Sequence, residues 1–279
     1  MLLKTCMKNK KILIFGKKSF IGNNLYQYLK IRHKVKIKNF NNNELKNINN
    51  FDYIINCSIN KDYVYKKYSR NNDIDFKIIK NIKNINTNFI FLSSRKIYKP
   101  KSNIKEDSKI DCINNYEKNK LITENEILKF RSSKSIILRI SNLIGFKKYN
   151  PNKVHFTYVD YLVQRIKRKE IIFNKNEFGD FLDIKTFSKI VHMIINKKVF
   201  GIYNVSLGRK VYLKEINKWL LFHLKNKNLL KSITLPKDDK IKSFYLNNLK
   251  LKKRINIKID INHLKKECLK LSKKLFLKN

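Results

Sequence analysis

The sequence predicts an α/β protein, a doubly wound parallel sheet with a smaller carboxyl-terminal α/β lobe. Three observations carry this. An apolar run, Lys11-Ile-Leu-Ile-Phe15, leads directly into two of the chain's six glycines, Gly16-Lys-Lys-Ser-Phe-Ile-Gly22, and then into an amphipathic stretch. Short β-rich runs then alternate with helical patterns through the first half, as parallel strands joined by covering helices require. From Phe146 the rhythm changes, with a break at Asn150-Pro151-Asn152.

Taken in order, the strand candidates are Lys11–Phe15, Val35–Lys38, Tyr53–Asn56, Phe89–Ser93 and Ser135–Ile140. Each is short and rich in β-branched or aromatic residues. Helical periodicity covers Phe20–Lys30, Ile74–Ile85 and Tyr116–Phe130. The Asn-rich stretch Asn39 to Asp52 is too short for a full crossover helix. In the second half, Phe156–Arg168, Lys185–Ile195, Leu213–Leu224 and His263–Leu275 read as helices, and Glu170–Phe173 and Ile202–Ser206 as strands. These divide the chain into residues 1–145, a sheet domain, and residues 146–279, a smaller lobe interleaved with it.

With 279 residues the chain can bury a substantial core. No apolar run approaches the roughly 20 residues of a membrane span. The first residues lack a signal-peptide core, and the four cysteines are scattered without metal-ligand spacing. A reduced, cytoplasmic protein is expected. The five histidines show no ligand spacing, and no metal is expected. The net charge of +43 raises the question of nucleic acid. However, lysine is spread over most solvent faces without an arm, zinc finger or aromatic-basic motif, so nucleic acid is not the expected main partner. A positive surface still attracts anionic substrates and cofactors.

Strand, glycine turn and helix start together suit a dinucleotide phosphate. Glycine permits the turn and a close backbone approach, and the helix N-terminus offers N–H donors and the positive end of its dipole. This makes the sheet Rossmann-type. A second feature is Phe89-Ile-Phe-Leu-Ser93-Ser94, a buried strand ending in hydroxyls that can reach a substrate carbonyl or cap the next turn. A third is Tyr116-Glu-Lys-Asn-Lys120, where Tyr and Lys share a helix face and the ammonium favours the phenolate. The same YxxxK spacing begins at Tyr26, Tyr63 and Tyr149. Context selects Tyr116, which follows the serine strand and opens a helix leading into the next strand.

With these motifs the chain resembles the extended short-chain dehydrogenase/reductases, the NAD-dependent epimerase/dehydratase group acting on nucleotide sugars. The resemblance spans nearly the whole chain. Gly16 to Gly22 is similar to the GxxGxIG loop, and Tyr53-Ile-Ile-Asn56-Cys-Ser58 to the strand whose end lines the cofactor. Ser94-Arg-Lys-Ile-Tyr98 resembles SxxVYG, and Tyr116 to Lys120 resembles YxxxK. Leu138-Arg139-Ile-Ser-Asn142-Leu-Ile-Gly145 resembles LRxxNVYG, Asp180-Phe181-Leu-Asp-Ile184 resembles DFIxV, and Gly201-Ile-Tyr-Asn204-Val-Ser206 is similar to GxYNxG.

The resemblance implies NADP or NAD as cofactor, held by Gly16, Ser19, Phe20, Ile21, Gly22, Lys38, Asn56, Ser58 and Lys120. It implies that Ser94 hydrogen-bonds the reacting sugar oxygen, that Tyr116 moves its proton, and that Lys120 holds the ribose and lowers the Tyr116 pKa. Asn142 and Asp180 are implied at the substrate, and a homodimer through the helices at Ile74–Ile85 and Tyr116–Phe130 is implied as well.

Departures narrow the reading. Ser19 stands where the family has its middle glycine. Lys38 and Asn39, not an acid, end the second strand, which leans toward NADP. Arg95 and Lys96 replace the Asp-Glu pair of the 4,6-dehydratases, which disfavours water elimination. Gly179 and Thr186 replace a family arginine and aspartate; if that arginine grips the substrate diphosphate, another base such as Arg165 or Arg168 must serve, or the substrate differs. The short Asn39–Asp52 connection is closest to deoxysugar 4-ketoreductases. The expected function is therefore a nucleotide-sugar 4-ketoreductase or epimerase. The alternative is a non-catalytic protein of the same fold that binds RNA or a protein through its basic surface.

Overall fold

The computed structural model describes residues 9–146, 156–172, 176–225, 227–233 and 243–277. Cys6, Tyr149, His155 and the Asn150-Pro151-Asn152 break lie outside them. The first half orders β1 (Lys11–Phe15), α1 (Phe20–Leu29), β2 (Lys34–Lys38), β3 (Tyr53–Asn56), α2 (Lys61–Tyr65), α3 (Ile74–Asn81), β4 (Asn88–Ser94), α4 (Asn115–Arg131) and β5 (Ser135–Ile140). There follow β6 (Asn142–Ile144), α5 (Tyr158–Lys167), β7 (Glu170–Ile172), β8 (Phe178–Gly179), β9 (Phe181–Asp183), α6 (Ile184–Lys197), β10 (Gly201–Val205) and β11 (Val211–Tyr212). Last come α7 (Leu213–Leu220), β12 (Lys231–Ile233), α8 (Leu249–Ile255) and α9 (Ile261–Phe276).

Six strands form one sheet in the order β10-β5-β4-β3-β1-β2. β1 pairs in parallel with β2 and β3, and β3 with β4. The chain runs from β1 out to β2 and returns to β3 on the other side, so the winding direction switches between β1 and β3. Crevices at such switch points, beyond the carboxyl ends of the strands, are where these sheets bind ligands. The register sets Phe15 opposite both Lys38 and Asn56, so three strands end together there. β2, with lysines at alternate positions, is the edge strand, and those charges discourage further pairing.

The chain divides into two compact units. The first runs to Ser93 and adds Cys112–Leu138 and Ser188–Tyr203. Its strands alternate across the sheet. On one face Leu13, Phe15, Ile54, Phe89, Phe91 and Ile137 pack with Ile78 and Ile79 of α3 and Ile127 of α4. The connection between β2 and β3 is a 3-10 segment, Asn42–Asn50, as its length demands, and Ile48 joins the same core. On the other face Tyr53 reaches Ile195 of α6, its hydroxyl donating to that carbonyl at 3.1 Å. α3 stops at Asn81, short of Ile85, because Asn49 Oδ1 accepts from the N–H groups of Lys83 and Asn84 and draws the chain into a turn.

The second unit comprises Ser94–Asp111, Arg139–Phe187 and the chain from Asn204 on. It holds three two-stranded pairings, β6 with β9, β7 with β12 and β8 with β11. At its centre Arg139 and Asn204 share Tyr98. The Arg139 guanidinium donates to the Tyr98 hydroxyl at 2.8 Å, and that hydroxyl donates to Asn204 Oδ1 at 2.9 Å. Among the described residues no helix is long and apolar enough to cross a membrane, and no cluster of three metal-binding side chains occurs.

Candidate active site

The glycine loop is folded by its own backbone. Gly16 has φ +106°, a region that side chains rarely tolerate. Its N–H and that of Lys17 both donate to the Lys38 carbonyl, at 2.8 and 3.2 Å, which fastens the loop to the end of β2. A Cβ on Gly16 would lie 2.9 Å from the Cys57 carbonyl, and one on Gly22 would lie 2.4 Å from the Gly16 oxygen. The two glycines thus let loop, α1 and the end of β3 close on one another.

Ser19 departs from the family glycine without strain. Its φ of −80° and ψ of 148° suit any residue, and its Oγ accepts from Gly22 N at 2.8 Å as the N-cap of α1. Phe20 is buried, so what it and Ile21 can offer a ligand is their N–H groups in the first helical turn, which have no intrahelical partner. No acidic side chain lies in that turn to repel an anion. The residues present fit a dinucleotide pyrophosphate through the Phe20 and Ile21 N–H groups, because those of Gly16, Lys17, Ser19 and Gly22 already bond within the protein.

At the end of β3, Asn56 serves the protein itself. Its Oδ1 accepts from Ser58 N at 2.9 Å, and its Nδ2 donates to Ser58 O and to Asp75 Oδ1. It therefore shapes the Cys57–Ser58 turn, and Ser58 is left half-buried. Lys38 forms an ion pair with Glu44 of the 3-10 segment. The sequence places Lys38 and Asn39, not an acid, at the end of β2. The fold supplies one from six residues downstream, where only an Asn41 cap precedes it.

α4 begins with a capping box between Asn114 and Glu117, which fixes where Tyr116 enters the helix. Lys120 lies one turn on, only 6% exposed, and its Nζ donates to the Leu92 carbonyl of β4 at 2.9 Å. The ammonium also sits 4.4 Å from the Phe91 ring centre and 5.5 Å from that of Tyr63. Ser93 Oγ donates to Glu124 at 2.5 Å, a second clamp between β4 and α4. Thr123 Oγ1 donates to Asp73 at 2.6 Å, so the Tyr63 hydroxyl must donate to Thr123, and burial pushes the Tyr63 phenol well up. Tyr116 is half-buried on the same helix face as Lys120.

In the second unit, Ser94 ends β4 and its Oγ accepts from Lys96 N at 3.2 Å, capping a short turn as the sequence alternative had it. The hydroxyl proton is still available to donate. Asn142 is half-buried on β6, and its N–H donates to the Asp180 carbonyl. Asp180 itself is fully buried. Its carboxylate accepts from the N–H groups of Leu207, Gly208 and Leu246 at 2.9, 3.3 and 3.0 Å, which is the work of a residue that holds loops together. Burial lifts this carboxyl to about 7 against those three donors. At position 179 a Cβ would lie 2.9 Å from the Phe181 ring, which explains the glycine in place of the family arginine. Arg165 pairs with Glu170 at 2.8 Å, while Arg168 is exposed.

The sequence model of the NAD dependent epimerase/dehydratase family matches residues 12–206. The chain belongs to that family. The match begins in β1 and ends just past β10, so it includes the glycine loop, Tyr116 and Lys120. The family consists of enzymes of the extended short-chain dehydrogenase/reductase type, as the motifs imply. No curated protein sequence matches the chain. Among solved structures it is similar to a UDP-N-acetylglucosamine 4-epimerase of Methanobrevibacter ruminantium M1 in complex with UDP-N-acetylmuramic acid, with TM-score 0.80 and 18% identity over 96% of this chain and 99% of that one. It is also similar to a dTDP-glucose 4,6-dehydratase of Bacillus anthracis in complex with NAD, with TM-score 0.75 and 16% identity over 95% and 97%. A third is RMD of Pseudomonas aeruginosa complexed with NADPH, with TM-score 0.72 and 16% identity over 96% and 100%. These likenesses bear out the Rossmann-type fold.

Proposed function

We propose that the protein is an NAD(P)-dependent nucleotide-sugar oxidoreductase of the 4-ketoreductase or epimerase type. The observation that carries this is the buried Lys120, held by the Leu92 carbonyl one turn after Tyr116, in the unit that also holds the glycine loop. Burying an ammonium is unfavourable, and a chain that only needed a helix here would not keep it. Among the described residues Leu92 is its one hydrogen-bond acceptor, so two of its three N–H groups are free for ribose hydroxyls.

When bound, the nicotinamide would supply the hydride chemistry. The N–H groups of Phe20 and Ile21 and the Ser19 hydroxyl would hold its pyrophosphate, Gly16 and Gly22 would let the backbone come close to it, Ser58 would face it from the end of β3, and the Lys38–Glu44 pair would meet the adenosine ribose. Tyr116 gives a proton to the sugar oxygen or takes one from it, with Lys120 one helical turn away. Ser94 donates a hydrogen bond to that oxygen. Asn142 contacts the sugar nucleotide, and we assign Asp180 to positioning the loops around it. Elimination of water is not expected, because Arg95 stacks on Phe244 at 3.7 Å where a dehydratase needs an acid.

The test is a titration with NADPH and NADH followed by nicotinamide fluorescence, then turnover with nucleotide 4-ketosugars. Tyr116→Phe should bind cofactor normally and lose about 10²–10⁴-fold in turnover. Unimpaired turnover by that variant would sink the mechanism. Failure of a folded sample to bind either nucleotide would instead favour a non-catalytic protein.

A further inference from the structure

Tyr63 takes no part in the reaction proposed above, yet α4 grips it at both ends. α2, which carries it, is five residues long, and a helix that short owes its place to what it packs against. Asn119 Nδ2 donates to the Tyr63 carbonyl at 2.8 Å and to the Lys66 carbonyl at 2.9 Å. Asn115 Nδ2 donates to the Tyr65 carbonyl at 2.8 Å. The Tyr63 hydroxyl donates to Thr123 Oγ1 at 2.8 Å, and Thr123 donates on to Asp73, the cap of α3. Asn115, Asn119 and Thr123 follow one another at four-residue spacing, so one face of α4 binds the whole turn. Tyr63, Asn119 and Thr123 are buried, and burial keeps the phenol protonated.

What these bonds hold in place is an aromatic ring beside Lys120. The ammonium lies over the Tyr63 ring, 5.5 Å from its centre, and 4.4 Å from the centre of Phe91. Its hydrogen bond to the Leu92 carbonyl at 2.9 Å does not by itself replace the hydration that burial removes. The negative faces of the rings supply part of what is missing. Phe91 and Leu92 are neighbours on β4, so that strand provides two of the contacts, and Tyr63 brings the third from α2. Tyr63 also opens one of the YxxxK matches that context set aside. Its own lysine, Lys67, is exposed, and the fold brings the ring to the lysine that follows Tyr116 instead. We propose that Tyr63 is a positioning residue for Lys120: its ring, oriented by Thr123 and Asn119, holds the ammonium with its remaining N–H groups set for the cofactor ribose. This rests on the reading of Lys120 as the ribose-holding lysine.

The experiment measures the dissociation constants of NADPH and NADH for the wild type, Tyr63→Phe and Tyr63→Leu. Tyr63→Phe keeps the ring and should stay within about threefold of the wild type, whereas Tyr63→Leu keeps apolar bulk without the ring face and should weaken binding on the order of tenfold. Both variants lose the hydrogen bond to Thr123. A merely structural role would therefore weaken them equally, and that result, or unchanged binding in Tyr63→Leu, overturns the proposal. Proton–carbon spectra of the ligand-free protein, ¹³C-labelled at lysine Cε, give a second readout, with the Lys120 signal identified by its loss in Lys120→Met. That methylene should show nuclear Overhauser contacts to the Tyr63 ring and an upfield ring-current shift that shrinks in Tyr63→Leu and persists in Tyr63→Phe. Absence of the contact in the wild type also overturns the proposal, and it decides the question even where Tyr63→Leu does not fold. If neither nucleotide binds the wild type, the oxidoreductase reading falls, and the spectra alone decide whether Tyr63 holds Lys120.

Discussion

The Lys38 ammonium at the end of β2 is paired with the Glu44 carboxylate of the following 3-10 segment. A lysine at this strand end invites the extra phosphate of NADP, and a carboxylate there invites the ribose hydroxyls of NAD. The pair presents both. The lysine side chain is 41% exposed and the glutamate 24%, so solvent screens their attraction. Glu44→Gln should release Lys38 and raise the NADPH-to-NADH affinity ratio a few-fold, as expected of an interaction worth about 0.2–1 kcal/mol. Lys38→Ala should move the ratio the other way. Paired fluorescence titrations check this, and an unchanged ratio in both variants would remove the pair from cofactor selection.

The close approach of loop and helix predicts the effect of Gly22→Ala. The added Cβ would stand 2.4 Å from the Gly16 oxygen, so the start of α1 must move away from the loop. Overpacking of this kind costs about 1–3 kcal/mol. Both the melting temperature and the affinity for the nicotinamide cofactor should fall, as calorimetry and the same titration would report.

Tyr98 predicts a purely structural loss. Its hydroxyl accepts from Arg139 and donates to Asn204, and all three side chains are buried. Tyr98→Phe leaves an acceptor and a charged donor each short of a partner, so it should destabilise by about 1–3 kcal/mol. A urea midpoint equal to that of the wild type would refute the network's role.

His33 and His192 give the protein an acid-sensitive joint between the turn after α1 and α6. His33 Nε2 lies 3.0 Å from His192 Nδ1, and Lys10 N donates to His33 Nδ1 at 3.4 Å. One of the two facing ring nitrogens donates and the other accepts, an arrangement that is lost once both rings are protonated. Burial lowers both pKa values, that of His192 to about 4, with neighbouring positive charge adding to it. Because the folded-state values lie below the unfolded value of about 6.5, the unfolded chain binds protons first as pH falls. Stability from this pair is fully present above about pH 6.5 and is lost progressively toward pH 4. Thermal melts across that range should show a shallower acid loss in the double variant H33Q/H192Q than in the wild type.

Local regularities were legible in the chain. β1, β3, β5, α4 and the 3-10 connection after β2 stand where apolar periodicity and chain length put them, and the glycine loop is where spacing indicated. The segments that periodicity missed, among them α2, β6, β8, β9, β11 and α8, are two to seven residues long. Such lengths complete no period to read. Asn56 and Asp180 carried the right motif, but the structure turns both side chains to holding backbone.

The choice among the YxxxK matches was a tertiary decision. Lys30 lies exposed over the Tyr26 ring and Lys67 is exposed, whereas Lys120 is buried against Leu92 and Phe91. The sequence by itself determined the strand–loop–helix start, the alternation that builds a parallel sheet, and the order of motifs that marks the family. All of these are short-range patterns. Only the tertiary structure decided which groups meet, setting Glu44 against Lys38 and the Lys120 ammonium against the Leu92 carbonyl. Those pairings depend on how far each side chain is removed from water once distant segments close over it, and no local spacing encodes that.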